Sequence, residues 1–147
     1  KQIYITKQCV LKKKKFYKRS EDMSNTAMTV KGREKLCKAH AGEITLPKIK
    51  WIAFGTGGVD ENRQPLPVTG EEVELKEEQY RMELDYSFPI PTTCEYVCTL
   101  NKEDLPNLYL SEMGLFDEEG ELVMYSTFLE KGKDEDMTFH FQTQEIF

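Results

Sequence analysis

The sequence predicts an α+β domain, mainly antiparallel β, with one N-terminal helix at about residues 29–41 followed by about six strands. One helical pattern with capping residues occurs early in the chain. After it, apolar and polar residues alternate in short runs, as in half-buried strands. Glycine and proline separate these runs, which favours short turns and antiparallel pairing. The 147 residues, 39% of them hydrophobic, suffice for one domain with one core.

The helix is predicted mainly from its two ends. Thr29 can serve as the N-cap, and Gly42 can adopt the left-handed conformation after the last turn. Gly32 in the first turn disfavours a helix, because glycine costs about 1 kcal/mol relative to alanine there. The modest apolar side of the helix consists of Leu36, Cys37, Ala39 and Ala41.

The first strand after the helix, residues 48–54, is predicted to be largely buried because both of its faces are apolar. The faces consist of Ile49, Trp51 and Ala53 on one side and of Ile52 and Phe54 on the other. The strand leads into a glycine-rich turn at residues 55–58 and a polar turn at residues 60–62. Thr69 could cap a short helical turn after these loops.

Two strands with regular alternation are predicted next. The first runs from Tyr80 to Phe88 and ends at Pro89, because proline cannot donate to a strand ladder. The second covers residues 93–100 and is expected to pair with it in the antiparallel sense. One face of this second strand carries Cys94, Tyr96, Cys98 and Leu100.

The C-terminal part predicts a hairpin and one more strand. Leu108–Phe116 and Glu121–Phe128 form the hairpin, and Asp117–Gly120 forms its turn, with Gly120 as the left-handed residue. A charged loop at residues 131–136 follows. The last strand places Met137, Phe139 and Phe141 on one face.

Two of the four cysteines, Cys94 and Cys98, are interpreted as core thiols. Cys94 and Cys98 lie about 13 Å apart if they belong to one strand, whereas a disulfide needs a Cα separation of about 7 Å or less. No second cysteine pair or histidine cluster completes a zinc site with them. The other two cysteines are Cys9 and Cys37.

Neither the glycines nor the histidines predict a catalytic or cofactor site. Residues 55–58, Gly-Thr-Gly-Gly, follow a strand as a phosphate loop does, but a dinucleotide motif requires glycine at Asp60 and a helix next. His40 lies near the helix end, and His140 is expected to face solvent. The acidic residues 134–136 lack calcium-loop spacing. The sequence therefore predicts a protein that is not an enzyme, with no cofactor and no bound metal.

The charge of the chain changes sharply after its first segment. Residues 1–22 have a net charge of +6, and since the whole chain carries −6, residues 23–147 carry −12. Residues 18–20 can be encoded with a ribosome-binding sequence just ahead of Met23. We therefore interpret residues 1–22 as a basic leader, either translated from an upstream region or disordered. The alternative is a basic arm that contacts nucleic acid or membrane.

The rest of the chain, residues 23–147, is predicted to be a single acidic domain. Its negative charge argues against binding to nucleic acid backbones. No apolar run is long enough for a membrane span, and the N-terminal sequence lacks the apolar segment of a signal peptide. We expect the protein to stay in the cytoplasm during assembly, without membrane insertion.

Three stretches carry a resemblance to a known family. In their order and spacing they resemble the N-terminal, baseplate-attachment domain of tail-fibre or tail-collar proteins of contractile-tailed phages, prophages and tail-like bacteriocins. The stretches are Thr26–Leu36, Ile52–Asp60 and Leu110–Val123. The third is the most specific, a Ser-Glu-hydrophobic-Gly-Leu-aromatic-Asp hairpin that closes on glycine. The similarity extends from Met23 to Phe147.

This resemblance implies a structural role in a phage or phage-like tail. Its partners would be a baseplate protein, a tail-fibre protein or both, and the family suggests a homotrimer. No shaft repeats follow the attachment domain, so we expect a short adaptor or collar protein that recruits a separate fibre, or a natural truncation. The location would be the bacterial cytoplasm during assembly and then the tail of the virion.

The turns at residues 55–60 and 114–120 are predicted to face a partner, because both combine glycine with aromatic neighbours. The alternative is that these glycines only satisfy turn geometry. The candidate interaction residues are Gly55, Thr56, Gly57, Gly58, Asp60, Glu112, Gly114, Leu115, Phe116, Asp117 and Gly120.

Two other functions remain open on the sequence. One is a carbohydrate-binding β module that contacts the host envelope, which would require aromatic residues exposed in a groove. The other is a small hydrolase, which would require converging acids or histidines in a cleft.

Overall fold

The computed structural model describes residues 2–10 and 25–147. Among them, the smaller sheet has the strand order β1-β9-β6-β5 and the larger one β2-β8-β7-β3-β4. Neighbouring strands are antiparallel, apart from the parallel pair β1–β9. The predicted fold class is therefore confirmed. The elements are β1 (Gln2–Val10), β2 (Asn25–Met28), α1 (Val30–His40), β3 (Ile49–Gly55), β4 (Glu78–Glu83), β5 (Asp85–Ile90), β6 (Thr93–Leu100), β7 (Leu108–Asp117), β8 (Leu122–Lys133) and β9 (Thr138–Ile146).

The main core lies between the two sheets. Phe54 of the larger sheet packs on Phe141 of the smaller one, with ring centroids 4.3 Å apart. Phe128 reaches the same ring at 6.5 Å. Because each ring is buried, this contact removes a large apolar area from water and holds the two layers together.

A second apolar cluster lies on the opposite face of the larger sheet. Ala53 and Tyr125 are buried there, and the segment of residues 56–77 covers them through Leu75 and Val68. The larger sheet is thus covered on both faces, which explains why β3 is apolar on both sides. Its predicted burial is confirmed.

One detail of the β3 prediction is wrong. Ile49 was placed on the same face as Trp51, but it packs against the main core, whereas Trp51 packs against the second cluster. The pairing of β3 with β7 shifts register between these two residues. A bulge at this point breaks the alternation of side chains along the strand.

Helix α1 has both of its predicted caps. The Thr29 hydroxyl accepts a hydrogen bond from the Gly32 amide at 3.1 Å, and Gly42 has a φ of 78°. Gly32 is buried, and a Cβ at this position would lie 2.7 Å from the carbonyl oxygen of Val123. Glycine therefore lets the helix approach β8 closely, which offsets its low helix propensity.

The strand predicted over residues 80–88 is instead two strands that belong to different sheets. The chain leaves the larger sheet after β4 and enters the smaller one at β5, so that Leu84 lies between them. The predicted antiparallel pair with residues 93–100 is confirmed for β5 and β6. The strand was predicted to end at Pro89, but Pro89 lies inside β5, because an edge strand tolerates a missing N–H.

The predicted β7–β8 hairpin is confirmed, and Gly120 has the expected positive φ of 85°. However, β8 continues to Lys133 into the region expected to be a charged loop. The last strand is confirmed as β9, with Phe139 and Phe141 in the main core.

The region predicted to be a basic leader includes β1, which was not predicted as a strand. Its pairing with β9 brings residues 2–10 beside the C-terminal strand. Residues 1 and 11–22, and the expected start at Met23, lie outside the described residues. Within the described part of the chain, no helix is long and apolar enough to cross a membrane.

Candidate functional site

A buried carboxylate, Glu112, organises the glycine-rich turn at residues 55–58. It lies on β7 and is completely inaccessible to solvent. One of its oxygens accepts hydrogen bonds from the backbone amides of Gly57 and Glu77, at 3.0 and 2.7 Å. The other accepts from the Lys76 amide at 2.9 Å and from the Tyr125 hydroxyl at 2.6 Å. Four donors thus compensate the cost of burying this group.

The glycine-rich turn is shaped by this carboxylate. A Cβ at Gly55 would lie 2.4 Å from the Glu112 carboxylate, and one at Gly58 would lie 2.0 Å from the carbonyl oxygen of Ser111. Only glycine allows the turn to lie this close to β7. The alternative reading, that these glycines serve local geometry, therefore accounts for their positions.

Asp117 at the end of β7 organises the hairpin turn and the helix. Its carboxylate accepts hydrogen bonds from the amides of Glu119 and Glu121, both at 3.0 Å. It also pairs with Lys35 of α1 at 2.5 Å. Burial alone would lower the pKa of Lys35, but the bonds from Asp117 and Glu119 outweigh it and the pKa is raised. The ammonium group therefore stays charged.

These positions correct the expectation that the motif residues form an exposed surface. Gly114 lies inside β7 and not in a turn, and a Cβ there would clash with Leu122 and Leu75. Among the predicted interaction residues, only Asp60 and Gly120 are exposed, and Thr56 is half-exposed. The predicted interaction residues that are instead buried are Gly55, Gly58, Glu112, Gly114, Leu115, Phe116 and Asp117, while Gly57 is half-buried.

A groove of about 290 Å³ offers a different candidate site. One wall comes from α1 and the segment before β3, and includes Leu36 and Leu46. The other comes from the smaller sheet, and includes Tyr86, Phe88 and Phe147. Most of the lining is apolar, as expected of a binding site.

The aromatic residues at this groove are unusually exposed. Tyr86, Phe88 and Phe147 have 64%, 63% and 65% of their surface accessible. The rings of Tyr86 and Phe88 lie edge to face with centroids 5.9 Å apart. A cluster of exposed large apolar side chains beside a groove is typical of a binding surface.

The wall of the groove on the smaller sheet contains a buried polar pair. The Tyr96 hydroxyl donates to the Glu145 carboxylate at 2.9 Å. Burial raises the pKa of Glu145 although this hydrogen bond opposes the shift. Burial also raises the pKa of Tyr96 and, beside it, of the Cys94 thiol. Cys94 therefore stays protonated and is a poor nucleophile.

The charges that line the groove are few. Lys35 is paired with Asp117, and Glu145 is bonded to Tyr96. Lys48 also lines the groove and is exposed, and its ammonium has no ionic partner among residues 25–147. The groove can thus hold an apolar group, with one cation at its margin.

No family model, no curated protein and no solved structure matches the chain.

The cysteines and histidines of residues 25–147 differ in their exposure to solvent. Cys98 is buried, and burial raises its pKa to about 12, as expected of a core thiol. Cys94 is half-buried, and Cys37, which was placed on the apolar side of the helix, is exposed. His140 was expected to face solvent, but it is half-buried and its Nδ1 lies 2.9 Å from the Thr99 hydroxyl. No group of three His, Cys, Asp or Glu side chains suited to a metal occurs in the described ranges.

Sequence reasoning missed the groove. Tyr86 and Phe88 continue the alternation that begins at Tyr80, so the pattern does not distinguish their environment from that of Tyr80. Tyr80 does pack against the main core, but the chain has changed sheets by Tyr86. Pro89 was the available signal, because proline inside a strand indicates a sheet edge.

Proposed function

We propose that the chain is a structural component of a phage-type tail: a tail-collar fibre protein or adaptor that attaches a tail fibre to the baseplate. The observation that carries this proposal is the convergence of the three stretches that bear the resemblance. They are distant in sequence, yet they form one hydrogen-bonded unit. The resemblance therefore falls on the residues that hold the fold together.

Specific hydrogen bonds join these stretches. The hydroxyl of Thr29, in the first stretch, donates to the carbonyl oxygen of Leu122, in the third, at 2.6 Å. The amide of Gly57, in the second, donates to Glu112 in the third. Both acceptors lie in the β7–β8 hairpin, the most specific part of the resemblance. A likeness confined to exposed loops would carry less weight, since turn residues recur in unrelated proteins.

The structure is compatible with a docking role. An adaptor has to keep its shape under load, and a two-layer β scaffold with a buried polar junction supplies a rigid frame. It also needs an apolar surface for its partner, and the groove beside Tyr86 and Phe88 provides one. We propose a baseplate protein or a tail-fibre protein as that partner, a homotrimeric assembly, and a final location in the tail.

Tail particles from the bacterium that carries the gene test this proposal. We expect purified tails to contain the chain, and a deletion strain to assemble tails that lack the fibre. Complementation with the intact chain should restore the fibre. Fibre-bearing tails in the deletion strain, or tails that never contain the chain, would refute the proposal.

A carbohydrate-binding module is the second candidate, and the exposed aromatic residues at the groove favour it. Sugars commonly stack on such rings. However, the Tyr86 and Phe88 rings are inclined at 74° to each other, so they do not form one flat platform. Binding of the purified protein to the host's envelope polysaccharide, lost in Phe88→Ala, would support this function. Absence of binding would leave the adaptor as the better proposal.

A further inference from the structure

The outer edge of β5 is open. β5 is the last strand of the smaller sheet, and no described strand pairs with its outer side. All six residues of β5 are exposed. Unpaired backbone groups on an edge strand can pair with another chain. β5 itself contains no lysine, and Asp85 is its sole charge.

The open edge adjoins the apolar groove. Tyr86 and Phe88 belong to β5 and also line the groove. A segment that pairs with the edge therefore lies beside the exposed rings. Strand addition takes its affinity from main-chain hydrogen bonds and its specificity from pockets for alternate side chains. Here the unpaired edge of β5 offers main-chain groups, and the groove beside it offers space for side chains.

Proline limits the length of this pairing. Pro89 has no N–H, and the register between β5 and β6 shifts between Ser87 and Ile90. A regular ladder can therefore extend only over residues 85–88. Such a short ladder needs support from side chains in the groove, which the exposed Phe147 and Leu46 can supply.

The available area favours a segment over a second folded copy. At about 200 Å² for an aromatic residue, the exposed parts of Tyr86, Phe88, Ile90 and Phe147 offer roughly 500 Å². A stable interface between folded proteins takes about 800 Å² from each partner. Two copies would also bring together two acidic bodies, each with a charge of −12 over residues 23–147.

The charges of the groove define the chemistry of the segment. Inside the groove, Lys35 and Glu145 already have partners, so the side chains that enter should be uncharged. Lys48 at the margin lacks a partner among residues 25–147 and can meet a carboxylate. The complement is a strand with alternate apolar side chains and one acid.

We propose that the β5 edge and the groove together bind one extended segment of a partner protein, with apolar side chains at alternate positions and a carboxylate that contacts Lys48. This inference rests on the proposed function, since it names the surface through which the adaptor would dock.

A peptide titration followed by NMR tests the binding directly. The probe is the peptide acetyl-Glu-Phe-Thr-Leu-Thr-amide, added at millimolar concentration to the ¹⁵N-labelled protein. We expect shifts in the amides of β5 and of residues that line the groove. In Phe88→Lys the affinity should fall by at least about tenfold. Val73→Lys is the matched control, since Val73 is exposed apolar in a distant loop.

The proposed contact between the carboxylate of the segment and Lys48 is tested by exchanging the two charges. A peptide with Lys in place of Glu should bind more weakly to the intact chain, and Lys48→Glu should reverse this preference. Absence of β5 shifts, shifts located elsewhere, or equal binding by Phe88→Lys would overturn the inference. Lys48 and Phe88 are both exposed, so neither substitution should unfold the protein. A dispersed spectrum verifies that each variant is folded.

Tail assembly separates this inference from the proposed function. The intact chain, Phe88→Lys and Val73→Lys are expressed in the deletion strain and their amounts in purified tails are compared. Loss of Phe88→Lys alone supports the inference. Incorporation of all three overturns the inference but leaves the adaptor role standing. Absence of all three from tails overturns the proposed function itself.

Discussion

At the scale of single residues, Glu112 has a role that its position in the sequence conceals. An acid in a strand of otherwise apolar residues could be read as a surface or catalytic group. Here it is a structural acceptor for four donors from three segments of the chain. A buried carboxylate is costly unless it is fully hydrogen-bonded. The same bonds therefore make it difficult to replace.

Substitution of Glu112 tests this role. Glu112→Gln keeps the size of the side chain but directs an NH₂ group at backbone N–H donors, which leaves them unsatisfied. We expect the free energy of unfolding to fall by about 3 kcal/mol, as measured by urea denaturation. Glu61→Gln, at an exposed position, is the control and should change it by less than about 1 kcal/mol. Equal effects would show that the Glu112 network contributes little.

Glu145 provides a prediction on pH dependence. Its pKa is raised in the folded protein because of burial. Below the unfolded-state pKa of about 4.3, Glu145 is protonated in both the folded and the unfolded protein and does not reduce the free energy of unfolding. As the pH rises, the unfolded state loses its proton first, so stability falls until the folded pKa is passed.

Glu145→Gln should abolish the fall in stability that occurs as the pH rises. Glutamine still accepts the Tyr96 hydrogen bond but carries no charge. We expect the urea midpoint to match that of the intact protein at about pH 4 and to exceed it at about pH 7. Glu71→Gln, at an exposed position, should show no such difference. A variant that is less stable at neutral pH would contradict the burial argument.

At the scale of elements, the sequence predicted the features whose geometry depends only on residues close together in the chain. The helix caps at Thr29 and Gly42 and the hairpin turn at Gly120 are set by short-range geometry. The change of sheet at Leu84 is not, because the alternation continues through it. Which sheet receives β5 depends on its pairing with β6, and no pattern inside β4 or β5 encodes that partner.

The candidate site was less predictable than the fold. The motif residues were expected at a surface, since glycine beside aromatic residues is common in binding loops. Their actual environment depends on the Glu112 carboxylate, which approaches the glycines from another strand. The groove likewise combines α1, β5 and the end of β9. These are distant in sequence, so only the tertiary structure brings them together.

Helix α1 yields a prediction about Gly32. On propensity alone, Gly32→Ala would stabilise the helix by about 1 kcal/mol. The added Cβ would instead lie 2.7 Å from the Val123 carbonyl, which is backbone and cannot move aside easily. We therefore expect a net destabilisation of about 1–3 kcal/mol, measured as a lower urea midpoint. A stabilised variant would show that α1 can shift away from β8. Lys31→Ala, exposed in the same turn, should be nearly neutral.

At the scale of the whole molecule, protection from solvent differs strongly between the centre and the edge. β7 lies between β3 and β8, and eight of its residues, 110–117, are buried without interruption. β5 lies at the outside of the other sheet with all its residues exposed. The fold thus combines a centre that is paired on both sides with an edge strand that has one neighbour among the described strands.

Hydrogen exchange followed by mass spectrometry tests this difference. Residues 112–116 belong to a strand that is paired on both sides and covered by two apolar clusters, so their amides should exchange only when the whole domain unfolds. The amides of residues 85–88 and 90 need only a local opening, because β5 has a single neighbour among the described strands. We expect exchange at the edge to be faster by about a thousandfold or more, since global unfolding costs about 5–15 kcal/mol. A low concentration of urea should accelerate exchange in β7 while leaving that in β5 nearly unchanged, since only global unfolding exposes much new surface. Equal exchange rates and equal urea dependence in the two strands would mean that β5 opens only when the core unfolds. An edge that cannot open separately would be poorly suited to receive a partner strand.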